Sequence, residues 1–331
     1  MNYRKAEAKE AARAQFRGVW AAIPTPFTAE DKLDEAGLRR NMRYYTEVLG
    51  VDGVFCTGTM GEFWALTKEE RQRVVEIVVE EARGKCRVIA HTGHHSPNET
   101  VELTRHAQEA GADFAIVINP YYPRASEDGL YEWFERVAAR VEIGIWMFDT
   151  PYSGVTLSPQ LTARIARIEN VCGIKCSRPL EHYEQARRLC GERIVFSHPS
   201  ESELLELVRA HGMRVHMSSA APFLMQVPGS TPMRDYLELA LAGRFEEAQR
   251  VREGMQPVRE VHEKWMREPW SRQGIIPIHY LKAWSELLGM AGGPVRPPLP
   301  QVTERERAAL RADLERCGLL AQLCVRQTRV A

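Results

Sequence analysis

Short apolar runs and longer amphipathic runs alternate along the first two thirds of the chain. The run 18–24 precedes a helix-period stretch at about 34–49. Strand-like 53–57 is followed by helical 68–83, then 87–92 by 98–110, 114–119 by 127–141, and 144–149 by 159–168. The pattern continues with 171–177 and 180–189, then 194–197 and 201–210, and ends in an eighth apolar run at 214–219. Ser96-Pro97 and Ser158-Pro159 supply a cap and an N1 proline. Gly50, Gly84, Gly111, Gly191 and Gly212 stand where helix ends call for left-handed backbone. Near-continuous apolar strands alternating with helices are parallel and buried on both faces, and eight such units close a barrel. The predicted fold class is α/β, a (β/α)8 TIM barrel over 17–229 with a C-terminal helical extension. Residues 1–16 read as a short, frayed N-terminal helix. Beyond 228–230 the pattern is helical throughout, at 233–242, 245–255, 257–265, 277–288 and 304–317. Without a flexible linker, the 230–331 region is predicted to pack on the barrel.

Composition narrows the classes. The 331 residues are 44% hydrophobic, enough for a large core. Lys+Arg and Asp+Glu number 44 each, so no net field recruits nucleic acid or an anionic membrane. No apolar run approaches the length of a membrane span, and 1–16 lacks the apolar centre of a secretory signal. Seven scattered cysteines fit free thiols in a reducing cytoplasm better than a disulfide framework.

In such a barrel chemistry gathers at the C-terminal ends of the strands. Those ends carry Thr25, Gly58-Thr59-Met60-Gly61-Glu62, His91 to His95, Tyr121-Tyr122, Phe148-Asp149, Lys175, His198 and Ser218-Ser219. Lys175 needs an explanation. It lies near the end of an apolar, β-branched run, where burying an unpaired ammonium is costly and lowers its pKa. A neutral amine there attacks a carbonyl and forms a Schiff base. The plainer reading is a structural lysine, paired with a carboxylate or snorkelling to water. Strand alternation puts Cys172 and Cys176 on one face and Lys175 on the other. The 58–62 stretch offers backbone N–H groups and the Thr59 hydroxyl to a carboxylate, or is an ordinary βα loop. His91, His94 and His95 lack the carboxylate spacing of a metal site, so no metal is expected. They read as loop polarity or substrate contacts.

Taken together these residues resemble the dihydrodipicolinate synthase/N-acetylneuraminate lyase family of class I aldolases. The resemblance is carried by Pro24-Thr25-Pro26-Phe27, Gly58-Thr59-Met60-Gly61-Glu62, Pro120-Tyr121-Tyr122, Gly173-Ile174-Lys175 and Val295-Arg296-Pro297-Pro298-Leu299, in order over about 18–300. It implies that Lys175 forms the imine with pyruvate or another 2-oxo acid, without a further cofactor, and that the protonated imine is the electron sink. It also implies that Thr59 and the loop N–H groups of Gly58 and Met60 hold the carboxylate. Tyr122 would stand near the subunit contact of a homotetramer built from dimers. Phe148 and Ser218 complete the expected substrate-binding set.

Two departures shape the expected activity. Met60 replaces the family's usual hydroxyl residue, keeping the backbone donor and making the pocket more apolar. Phe148-Asp149-Thr150-Pro151 replaces a Tyr-x-x-Pro pattern whose phenol relays protons, and Tyr152-Ser153-Gly154 stands where dihydrodipicolinate synthases place an arginine. The expected function is therefore a Schiff-base lyase, whether aldolase, hydratase-aldolase or dehydratase, acting on a 2-oxo acid and distinct from the synthase. Asp149, Tyr152 and His198 are the candidates for the missing acid/base, with Tyr122 also near the rim. The alternative is a catalytically silent barrel that binds a small carboxylate. A phosphate-dependent enzyme finds no support, because Ser218-Ser219-Ala220-Ala221 is no phosphate loop. His94, His95 and His198 would suit a hydroxylated second substrate, and Met60, Trp64 and Phe148 an apolar one.

Overall fold

The computed structural model describes residues 2–122 and 124–327. Eight strands form: β1 Gly18–Ala22, β2 Gly53–Cys56, β3 Arg87–His91, β4 Phe114–Ile118, β5 Ile145–Asp149, β6 Val171–Cys176, β7 Val195–Ser197 and β8 Val215–Ser218. They pair in parallel in the order β7-β6-β5-β4-β3-β2-β1-β8. At the β7/β8 seam the Ser197 hydroxyl donates to the Val215 carbonyl at 3.3 Å. The eight-unit barrel is as expected. Ser96 and Ser158 cap their helices by accepting from Glu99 N and Leu161 N. Of the five glycines, Gly191 departs from expectation: its φ is −63° and the chain leaves that helix through a right-handed turn.

Alternation along the strands sorts the side chains into two layers. Trp20, Phe55, Phe114, Trp146, Phe148 and Met217 belong to one packed cluster that fills the barrel. Val19, Ala21, Val54, Met147 and Ile174 belong to the other, between the sheet and its helices. β6 breaks the alternation. Ile145 is opposite Val171, but Trp146 is opposite Gly173, so Cys172 is one residue too many. Cys172 therefore joins the inner cluster while Cys176 stays in the outer one, contrary to the expectation that they share a face. A Cβ at Gly173 would stand 2.1 Å from the Trp146 indole, so the bulge and the glycine together make room for that ring. Residues 171 and 175 would share a face in a regular strand, and Val171 packs outside. The bulge reverses the phase and points Lys175 inward.

The N-terminal segment is not frayed. Helix Ala8–Gln15 lays Ala8 and Ala12 against the inner cluster, and Phe16 inserts between Trp20 and Trp146, with ring centroids 4.3 and 4.0 Å away. Tyr3 stacks on Phe114, donates to the Asp113 carbonyl at 2.6 Å and accepts from Gly144 N at 2.9 Å. This segment closes the N-terminal end of the barrel. The helices after β8 lie against the barrel, and a further one, Leu319–Gln327, follows the last expected helix. No helix among the described residues is long and apolar enough to cross a membrane. The six cysteines described are free; the Cys324 side chain lies outside the described residues.

One buried ion pair ties the helical region to the barrel mouth. Lys282, on helix Ile278–Leu287, stands 2.5 Å from Glu62, and both side chains are fully buried. Lys282 also donates to the Pro294 carbonyl at 2.8 Å, and Arg296 N donates to Glu62 at 2.9 Å. Removing one partner of a buried pair leaves a bare charge and costs about 3–5 kcal/mol. Lys282→Ala is expected to lose about that much in urea denaturation, and a loss within about 0.5 kcal/mol, as for a surface change, would contradict the pairing.

Candidate active site

Lys175 sits at the C-terminal end of β6, opposite Phe148 on β5 and Ser197 on β7. It is 7% exposed, and among the described residues no carboxylate or hydrogen-bond acceptor pairs with it. Its Nζ lies 5.1 Å from the Phe55 ring centroid and 4.8 Å from that of Phe148. Ring faces favour the ammonium by about 1–2 kcal/mol. Burial opposes it more strongly and pushes the pKa from 10.5 down to about 7, roughly 5 kcal/mol against the charged form. Desolvation wins, and much of the amine is neutral at neutral pH. Of the two partners the structural reading of this lysine called for, a carboxylate is absent among the described residues.

The 58–62 loop is held from several sides. Thr57 and Glu62 take left-handed backbone, φ 52° and 54°, and Gly61 N donates to the Gly58 carbonyl at 3.0 Å. A Cβ at Gly58 would stand 2.5 Å from the Phe55 ring, so only glycine lets the loop lie this low. Thr25 ties the loop down by donating to the Gly61 carbonyl at 2.9 Å. Thr59 and Met60 are buried, and among the described residues neither their backbone N–H groups nor the Thr59 hydroxyl has a protein partner. Such a concavity of free donors suits a carboxylate.

The expected acid/base residues are engaged with other groups. Asp149 follows inward-facing Phe148 and so faces the outer layer. There Arg178 Nε donates to its Oδ1 at 2.7 Å, and His182 Nε2 is 3.5 Å from its Oδ2. His198 follows inward-facing Ser197 and has both nitrogens engaged. Nδ1 accepts from Ser200 N at 3.2 Å, so Nε2–H donates to the Arg178 carbonyl at 3.0 Å. Tyr152 stacks on Trp270 at 4.5 Å, outside the barrel. Ser218 shares a register row with outward-facing Ala21, leaving Met217 on the inner face. Tyr122 is 79% exposed. Gly58, Thr59, Phe148 and Lys175 are the expected residues at the inner mouth, while the Met60 side chain packs with the outer cluster and only its backbone N–H is free among the described residues.

His91 was expected only as one of three loop histidines. In the structure it ends β3 on the inner face, in phase with Ile89, while His94 is half-buried and His95 exposed in the loop beyond the strand. Its ring lies 6.5 Å from Phe55 and 6.3 Å from Phe148, the two rings that flank Lys175. Asp149, Cys176 and His182 bring ligand-type atoms within 4.8 Å of one another. The Arg178 guanidinium on Asp149 opposes a cation there.

The model of the dihydrodipicolinate synthetase family matches residues 15–317. The 4-hydroxy-tetrahydrodipicolinate synthase of Methanothrix thermoacetophila is 35% identical over 301 residues, 89% of this chain and 95% of the relative. The chain belongs to the dihydrodipicolinate synthetase family. It is an enzyme of that family, a lyase. The synthase of Halorhodospira halophila is 33% identical over 92% of this chain and 98% of its own. Among solved structures, dihydrodipicolinate synthase from Aquifex aeolicus superposes with a TM-score of 0.80 at 29% identity, covering 92% of this chain and 99% of its own. An E. coli K12 prophage protein of the family, in complex with pyruvate, gives 0.80 at 26% identity and covers 92% and 99%. The family match leaves the first 14 residues of the plugging segment outside it.

The unprotonated amine is the reactive form, so reactivity at Lys175 rises with pH through its folded pKa of about 7. Competitive acylation with acetic anhydride, read by mass spectrometry of the Lys175 peptide, is expected to reach half its plateau near pH 7. A half-point near that of exposed lysines, about 10.4, would contradict the desolvation.

Proposed function

We propose that Lys175 forms a Schiff base with pyruvate or another 2-oxo acid, and that the enzyme makes or breaks a C–C or C–O bond next to the imine. The observation that carries this reading is the buried amine without a counter-charge among the described residues, pushed down to about 7 beside the Phe55 and Phe148 rings. The neutral amine attacks the C2 carbonyl, and loss of water leaves the iminium. The iminium draws electrons from C3, so that a proton or a carbon substituent leaves there and an enamine forms. The Thr59 hydroxyl and the Thr59 and Met60 N–H groups, free of protein partners among the described residues, would receive the carboxylate. Treated with pyruvate and sodium borohydride, the protein is expected to gain a reduced pyruvyl group on the Lys175 peptide, and Lys175→Ala none. Lack of an adduct across a panel of 2-oxo acids would sink the reading.

We further infer that the second substrate differs from that of the synthases. The relatives carry the synthase name, and the comparisons do not separate the chain from them. The inference rests on residues alone. Phe148 has no proton to give, and Ser153 is buried, its hydroxyl donating to the Val155 carbonyl at 2.7 Å, in the stretch where an arginine is expected. Turnover with pyruvate and the synthases' aldehyde is expected to be absent in a coupled assay; a kcat in the ordinary range of about 1–1000 per second would contradict it. An imine that forms without turnover on any aldehyde or sugar acid would instead favour a silent carboxylate-binding protein, which Phe148 keeps in view.

A further inference from the structure

We propose that His91 is the proton-transfer group of this site, its Nε2 taking the C3 proton of the pyruvate imine on Lys175 and later returning it to the product oxygen. The proposal rests on the imine reading above.

At the C-terminal end of the barrel interior, the strands contribute two titratable side chains among the described residues, Lys175 and His91. The tautomer of His91 follows from its contacts. Nδ1 faces the Thr57 carbonyl at 3.0 Å and must donate to it, which leaves Nε2 as a bare acceptor. Arg71 is 3.4 Å from Nδ1, but its shorter bond goes to the His91 carbonyl at 2.9 Å, so it fixes the backbone. Nε2 is buried with no partner among the described residues, and a side chain at Gly93 would stand 3.0 Å from it. An orphaned acceptor in an apolar interior is costly. It is accounted for when a substrate group meets it.

The charges facing His91 are Arg71, from helix Lys68–Ala82, and Lys175, from β6. With burial they hold the imidazole neutral, far below its ordinary pKa. A neutral base this weak can still act on an iminium, because the transfer creates no new charge in the cavity. The C3–H bond breaks, its electron pair forms the C2–C3 double bond, and the C=N pair moves to nitrogen. Positive charge passes from that nitrogen to the imidazole. When the enamine carbon attacks an acceptor aldehyde, the new alkoxide takes the proton back, and the imidazole is neutral again. His91 and Lys175 flank the same two rings, Phe55 and Phe148. One of these is the position where the family's phenol is missing.

The test follows exchange of the pyruvate methyl protons in D2O by NMR, alongside borohydride trapping. His91→Asn keeps a donor for the Thr57 carbonyl and removes Nε2. His91→Gln places an amide near Nε2 without a titratable proton, so one variant remains if the other fails to fold. Both are expected to keep the Lys175 adduct and to lose exchange by at least about 100-fold, the usual share of a general acid/base. Wild-type exchange in a folded variant would overturn the assignment. So would loss of the adduct together with exchange, since His91 would then be needed for the imine itself. A wild type without an adduct would refute the Schiff-base reading instead, and the two failures stay distinct.

Discussion

A single extra residue in β6 decides which way Lys175 points. Val171 faces the helices, and four residues of regular strand would bring Lys175 to the same side. The bulge at Cys172 reverses the phase, and Gly173 yields its side-chain volume to the Trp146 ring. The ammonium then enters a space filled by aromatic side chains, where it meets Phe55 and Phe148 and no carboxylate among the described residues. Phe16 and the helix before it close the far end of that space. The reactivity proposed for Lys175 thus begins with strand geometry.

Charge is placed with similar economy at the mouth. Fully buried Glu62 and Lys282 neutralise one another and anchor the end of the 58–62 loop, while Arg296 adds its backbone N–H to the same carboxylate and reaches Asp31 and Glu70 with its guanidinium. The loop's remaining donors point at no protein group among those described. Pairing where the chain must be rigid and leaving groups unpaired where a substrate would bind is the arrangement expected of a preorganised site.

The barrel and its order of units were legible because parallel strands buried on both faces write themselves as apolar runs between amphipathic ones. The site was legible only to the nearest residue. Asp149, His198 and Ser218 each stand one position past an inward-facing side chain: Phe148, Ser197 and Met217 respectively. Locating a strand end does not fix its phase, and a shift of one residue moves a side chain to the other face of the sheet. His91 was readable from its alternation with Ile89 but was hidden beside His94 and His95. Glu62–Lys282 spans 220 positions of chain and left no local signal. The bulge at Cys172 depends on the Trp146 ring from another strand, and no pattern within β6 announces it.

Lys175 as the imine-forming residue is tested most directly by a crystal structure of the protein soaked with pyruvate. Continuous density is expected from the Lys175 Nζ to C2, with the carboxylate on the Thr59 and Met60 N–H groups and C3 turned toward His91. Pyruvate bound noncovalently elsewhere, with Lys175 unmodified, would contradict it.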